Sequence, residues 1–193
     1  MEYATERRLK DIAPLLERLD RGEILSREEQ AELVAIRGLD GRGWKGELLR
    51  SIRMLTALES LNLSFAQVSD LTPLSALTAL QSLYLCGTQV SDLTPLRDLM
   101  ALESLDLWGT QVSDLTPLSG LTALEYLKLE NTQVSDLTLL KGMTGLVALD
   151  LRRTQVSDLT PLRNLTAPKF LNLWDTQVHD LTPLRDLKAL KYL

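Results

Sequence analysis

The sequence predicts a curved α/β solenoid. Short parallel strands should stack into a concave sheet, with 3₁₀ or helical turns on the convex side and a helical cap at the N-terminal end. Three observations carry this expectation. The segment SDLTPL stands at residues 69–74, 91–96, 113–118 and 157–162, with SDLTLL at 135–140 and HDLTPL at 179–184, so that one copy falls every 22 residues. Leucine supplies 47 of the 193 residues and keeps the same register, at Leu61, Leu83, Leu105, Leu127, Leu149, Leu171 and Leu193 and again at Leu63, Leu85, Leu107, Leu129, Leu151 and Leu173. Residues 1–57 carry eleven acidic and eleven basic side chains and no complete repeat. A period in this range marks a stacked array, because one such unit cannot bury its apolar face alone.

The N-terminal segment reads as helical. Leu9, Ile12, Leu15, Leu16 and Leu19 have amphipathic spacing, and Pro14 either begins that helix or kinks it. Ser26 followed by Glu29 forms a capping box, which predicts a second helix to about Arg37, with Gly38 as its stop. Ile36, Leu39, Leu49, Ile52 and Leu55 each lie 22 residues before a repeat leucine, so a degenerate first repeat is expected within the cap. Such a cap covers core leucines that would otherwise meet water.

The repeats follow, with the unit LxxLxLxxTQVSDLTPLxxLTA. Six copies run from Leu58 to Ala189, and a seventh begins at Leu190. In LxL the side chains alternate in and out, as in a strand with one buried face. Thr-Pro supplies a cap and a first helical residue whose missing N–H costs nothing. The Leu-x-x-Leu that follows suits a tight 3₁₀ turn.

These residues resemble the leucine-rich-repeat family, of the 22-residue type in bacterial internalin-like and SDS22-like domains. The resemblance runs from Leu58 to Leu193 and rests on LxxLxLxxT…DLxPLxxL. It implies a protein-recognition module, often joined to other domains, and says little about the ligand. Three departures stand out. Thr88, Thr110, Thr132, Thr154 and Thr176 take a position where the family often has asparagine; their hydroxyls are expected to bond backbone groups between neighbouring turns, and Ala66 cannot. Leu139 replaces the proline and Pro168 the leading leucine, which predicts irregularity in repeats four to six.

Composition excludes several functions. A net charge of −5 and a pI near 5.0 argue against a nucleic-acid or anionic-membrane binder. One cysteine rules out an internal disulfide or a cysteine-built zinc site, and one histidine leaves little for Ser-His or two-His chemistry. No apolar run approaches the roughly 20 residues that span a membrane. The charged start MEYATERRLKD is unlike a secretory signal. The expectation is a cytoplasmic, non-catalytic protein with no cofactor and no metal. GRGWKG at 41–46 is a formal GxGxxG, but no βαβ unit follows it. Asp70, Asp92, Asp114, Asp136, Asp158 and Asp180 are read as backbone caps, and Gln67, Gln89, Gln111, Gln133, Gln155 and Gln177 as an exposed amide ladder. Cys86 has no histidine in register, His179 lying four repeats away.

Function is expected where the repeats differ. Phe65, Tyr84, Trp108, Tyr126, Phe170, Trp174 and Tyr192, seven of nine aromatics, fall in or just after the strands. Large amphipathic rings on an exposed sheet are typical interface anchors. The candidate partner-binding residues are Tyr84, Trp108, Tyr126, Lys128, Glu130, Asp150, Arg152, Phe170 and Trp174. Alternating charge predicts cross-strand pairs Glu130–Arg152 and Asp106–Lys128–Asp150. Because a seventh LxL is cut at Leu193, the chain reads as a fragment of a longer protein, or as one whose open edge a partner or second copy covers. Two other readings stay open: the sensor part of a larger bacterial signalling or defence enzyme such as a repeat-bearing GTPase, and an internalin-like adhesive domain.

Overall fold

A computed structural model describes residues 6–46 and 50–193. Eight three-residue strands form one parallel sheet in sequential order: β1 Glu6–Arg8, β2 Gly38–Asp40, β3 Ser60–Asn62, β4 Ser82–Tyr84, β5 Ser104–Asp106, β6 Tyr126–Lys128, β7 Ala148–Asp150 and β8 Phe170–Asn172. From β2 onward each residue pairs with the one 22 positions later, as in Leu61↔Leu83 and Leu149↔Leu171. The short strands are extended by further bonds between turns. Leu85 N–H donates to the Asp106 carbonyl at 2.8 Å, and Gly87 N–H to that of Trp108 at 2.7 Å. The curved solenoid that the period predicted is thus present, with its strands on one side and 3₁₀ turns on the other.

The core is a stack of equivalent side chains. Leu102, Leu105, Leu107, Val112, Leu115, Leu118 and Leu121 are buried together, and the residues 22 away repeat the set. Towards the last repeat this burial thins: Leu173, Val178 and Leu190 are half-buried, and Leu193 is 64% exposed. A single bridge, Phe170↔Tyr192, continues the sheet beyond β8.

Each strand returns through a turn of fixed design. The 3₁₀ turns Thr72–Leu74, Thr94–Leu96, Thr116–Leu118, Thr160–Leu162 and Thr182–Leu184 carry proline near their start. Their cap is the aspartate rather than the threonine: Asp70 Oδ1 accepts from Thr72 N–H at 2.8 Å, and the other five aspartates do the same within 0.1 Å. Where Leu139 replaces proline, the turn runs on over Thr138–Gly142. Pro168 has a different effect. Leu80, Leu102 and Leu124 each donate to the carbonyl three residues before, a bond Pro168 lacks for want of an N–H.

The threonine hydroxyls behave differently from expectation. Each donates within its own repeat, as in Thr88 Oγ1 to the Leu85 carbonyl at 2.7 Å and Thr154 Oγ1 to that of Leu151 at 2.6 Å. Neighbouring turns are joined instead by backbone, Gln111 N–H donating to the Val90 carbonyl at 2.9 Å and Gln133 N–H to that of Val112 at 3.0 Å. The glutamine ladder is therefore one of main chain. Two residues after the second strand leucine, the backbone turns left-handed in every repeat: φ is +60° at Phe65, +65° at Gly87, +67° at Gly109, +54° at Asn131, +53° at Arg153 and +57° at Asp175.

The N-terminal end joins the same stack. Helix α1, Leu9–Asp20, holds Pro14 inside it, and α2, Arg27–Val34, starts on the capping box of Ser26 and Glu29. That helix stops at Val34 with Ala35 as its cap, and Gly38 opens β2 rather than ending a helix. Gly43 has φ +68°, the left-handed turn 22 residues before Phe65. A Cβ on Gly41 would sit 2.8 Å from Leu63 and 3.1 Å from Leu9, so glycine there lets α1 pack over the first strands. GRGWKG is a repeat turn adapted to the cap. Asp20 then accepts from Ser51 N–H at 2.8 Å and from the Ser51 hydroxyl, tying α1 to the 3₁₀ turn Arg50–Met54. Ile52 and Leu55 are fully buried, whereas Leu49 lies outside the described residues.

Two outcomes follow. Hydrogen bonds from the threonine side chain and N–H hold the six capping aspartates below the usual carboxylate range. Their contribution is complete above the unfolded pKa of about 3.9 and is lost as pH falls through the lower native values. Thermal melts at decreasing pH should show stability dropping below about pH 4, less steeply in a variant with several of these aspartates changed to asparagine. Among the glycines, Gly109→Ala should cost about 1–2 kcal/mol, because φ is positive there. Gly142→Ala, in open space, should be neutral or stabilise by up to about 1 kcal/mol in urea unfolding.

Candidate functional site

The concave face is built from two files of outward residues. On the strands stand Asn62, Tyr84, Asp106, Lys128, Asp150 and Asn172; two residues further on stand Ser64, Cys86, Trp108, Glu130, Arg152 and Trp174. Where the first file is Asn or Asp, its carboxyl or amide oxygen accepts from the backbone N–H two residues on. This occurs at Asn62–Ser64, Asp106–Trp108, Asp150–Arg152 and Asn172–Trp174, at 3.0–3.2 Å. The side chains that close the strand exit therefore also fix the backbone of the second file.

The expected ion pairs form in part. Lys128 Nζ lies 3.1 Å from Asp106, and Arg152 Nη2 2.6 Å from Glu130. Lys128 does not bridge on to Asp150. That carboxylate is only 6% exposed and takes Arg152 with two oxygens, Nε to Oδ1 at 3.0 Å and Nη2 to Oδ2 at 2.8 Å. Asp150 is thus a buried anchor for the guanidinium of Arg152, not an exposed charge. The signal for this was the Asn/Asp alternation two residues before the variable file.

The aromatics divide by burial. Trp174 is 59% exposed, with the Arg153 guanidinium 4.8 Å from its ring centroid. Tyr126 and Phe170 are also exposed, and Tyr84 is half-buried. Trp108 is half-buried with its ring edge-on to Phe65 at 6.0 Å, the two spanning Gly87, where a Cβ would meet Phe65 at 2.7 Å. Its indole Nε1 is buried without a protein acceptor among the described residues. Burial, and secondarily the charge of Asp106, pushes the Cys86 thiol above its usual pKa, the opposite of what a nucleophile needs.

An open groove of about 810 Å³ lies elsewhere, at the cap, lined by Arg8, Lys10, Asp40, Arg42, Trp44 and Lys45. Asp40 takes Arg42 there at 2.8 Å. No helix among the described residues is long and apolar enough to cross a membrane.

Comparison with known proteins places this surface in context. A family model for leucine-rich repeats in two copies matches residues 56–98, 78–120 and 101–142. The fold is similar to internalin C2 of Listeria monocytogenes, at 32% identity and TM-score 0.82, over 88% of this chain and 76% of that one. Internalin F of the same organism aligns at 30% identity and TM-score 0.74, over 88% of this chain and 57% of its own. A leucine-rich-repeat protein of Leptospira interrogans, at 19% identity and TM-score 0.70, shares the fold over 87% of this chain and 50% of its own. No curated protein sequence matches the chain.

The ion pairs of this face orient side chains more than they stabilise the fold. A double-mutant cycle on Glu130→Gln and Arg152→Gln should return a coupling of at most about 1 kcal/mol in urea unfolding, since solvent reaches the arginine.

Proposed function

The chain belongs to the internalin-like leucine-rich-repeat proteins of bacteria, and on that premise we propose that it is a non-catalytic module that binds a protein partner on its concave sheet. Residues 58–193 would supply the recognition array and residues 1–57 its helical cap with a degenerate first repeat. The observation that carries this reading is the exposed pairing of Trp174 with Arg153, beside an Arg152 locked by Asp150 and Glu130. Aromatic and arginine side chains held in place before binding lose little entropy when a partner arrives.

In this reading Tyr126, Phe170 and Trp174 anchor the partner, and Tyr84, Lys128, Glu130 and Arg152 set its register. Asp150 acts through Arg152. Trp108, half-buried against Phe65, contributes the exposed part of its ring. The raised pKa of Cys86 and its distance of four repeats from His179 speak against thiol catalysis.

A pull-down from the native cell's lysate, read by mass spectrometry, tests the assignment. Trp174→Ala and Arg152→Ala should each weaken capture about 30-fold or more while leaving the melting temperature within a few degrees of the parent. Equal capture by parent and variants would move the function off this face. A matching loss of melting temperature would make the side chains structural.

A further inference from the structure

We propose that a second copy of this chain is a partner, docked antiparallel along the rim where the chain enters the strands, with a twofold axis passing by Val147 perpendicular to the sheet. The rim is the file Arg37, Glu59, Gln81, Glu103, Glu125, Val147, Lys169 and Lys191, one residue before each strand position and 22 apart. Neighbours in this file reach one another: Arg37 and Glu59 form an ion pair at 2.9 Å. The next members do not continue that alternation. Glu103 and Glu125 set two like charges side by side, and Lys169 and Lys191 set two opposite ones beyond Val147. All four side chains are exposed, and none has an ion-pair partner among the described residues.

Read in one direction the file is acidic, acidic, neutral, basic, basic; reversed, it is its own complement. A twofold axis at Val147 sets Glu103 against Lys191 and Glu125 against Lys169 of the other copy, four ion pairs in all. The adjacent file obeys the same axis. Tyr126, Ala148 and Phe170 place an exposed ring on either side of a small residue, so Tyr126 of each copy meets Phe170 of the other. Tyr126 is 47% and Phe170 38% exposed, and Tyr192, its ring tilted against that of Phe170 at 6.4 Å, extends the patch. An isologous interface needs this self-complementarity, with each residue meeting its symmetry counterpart's mate. Four repeat steps of about 4.8 Å give a contact roughly 20 Å long, smaller than a standard interface and matched to a weak, salt-sensitive dimer.

The charge order stands by itself, but Tyr126 and Phe170 also belong to the proposed recognition surface, and in that respect the proposal rests on the concave-face reading. The experiment separates the two. Light scattering of the full chain from micromolar to the highest attainable concentration should show a monomer–dimer equilibrium that weakens with salt. The double variants Glu103→Lys/Glu125→Lys and Lys169→Glu/Lys191→Glu should each fold normally by melting temperature and dimerise at least about a hundredfold more weakly. Mixed in equal amounts, they should form a heterodimer, because every rim contact is then of opposite charge. A parent that stays monomeric overturns the proposal, as does a dimer indifferent to both reversals or a mixture that stays apart. A monomer that still captures a partner dependent on Trp174 removes the dimer alone. A dimer whose Trp174→Ala variant captures the same proteins removes the recognition reading alone.

Discussion

Every repeat of this chain is stable only because another repeat lies against it. The two leucines of a three-residue strand, such as Leu105 and Leu107, find their apolar neighbours 22 residues before and after. Ladder bonds such as Leu85 to Asp106 and Gly87 to Trp108 run along the same axis. Burial and hydrogen bonding therefore both depend on each turn returning the chain to one identical position. The aspartate cap, the proline of the 3₁₀ turn and the left-handed residue after the strand serve that single requirement. At the N-terminal end, α1 and the strand before it pack against the first strands in the place of a further repeat. Gly41 is the residue that makes room for Leu9 to do so.

This division of labour explains why one face is free to vary. Once the inward positions and the turn residues hold the stack, an outward side chain contributes little to its neighbours. Tyr126 and Trp174 can be placed on a rigid sheet without cost to the core. The exceptions are instructive. Asp106 and Asp150 are outward residues by count, yet each closes the strand exit and positions the side chain two residues later. Arg152 owes its orientation to that anchor, so the proposed recognition surface begins one layer inside the residues that a partner would touch.

Much of this was legible in the residues. The 22-residue period, the paired leucine files, the capping box of Ser26 and Glu29 and the backbone-capping role of the aspartates are local chemistry repeated in phase, and repetition makes weak signals strong. Other features left no such mark. The left-handed position is filled by Phe65, Gly87, Gly109, Asn131, Arg153 and Asp175, which share a conformation but no chemical property. Glycine, asparagine and aspartate hint at it; phenylalanine and arginine hide it. Gly38 looked like the end of a helix, because glycine stops helices and also opens strands. The threonine hydroxyls were expected to reach the next turn, but burial beside their own leucine carbonyl gave them a nearer acceptor. On the candidate face, alternating charges made the Glu130–Arg152 pair readable, while the withdrawal of Asp150 into a buried bidentate contact depends on depths that sequence does not carry.

The ladder bonds all point along the stack, and that direction has a mechanical consequence. Tension applied between the chain's two ends would load those bonds one row at a time rather than sharing the force across many in shear. The array would peel row by row, releasing one unit after another. Each release would free roughly 75 Å of contour for 22 residues. A scaffold stiff enough to hold rings in fixed positions sideways is, lengthwise, a compliant spring of nearly equal links.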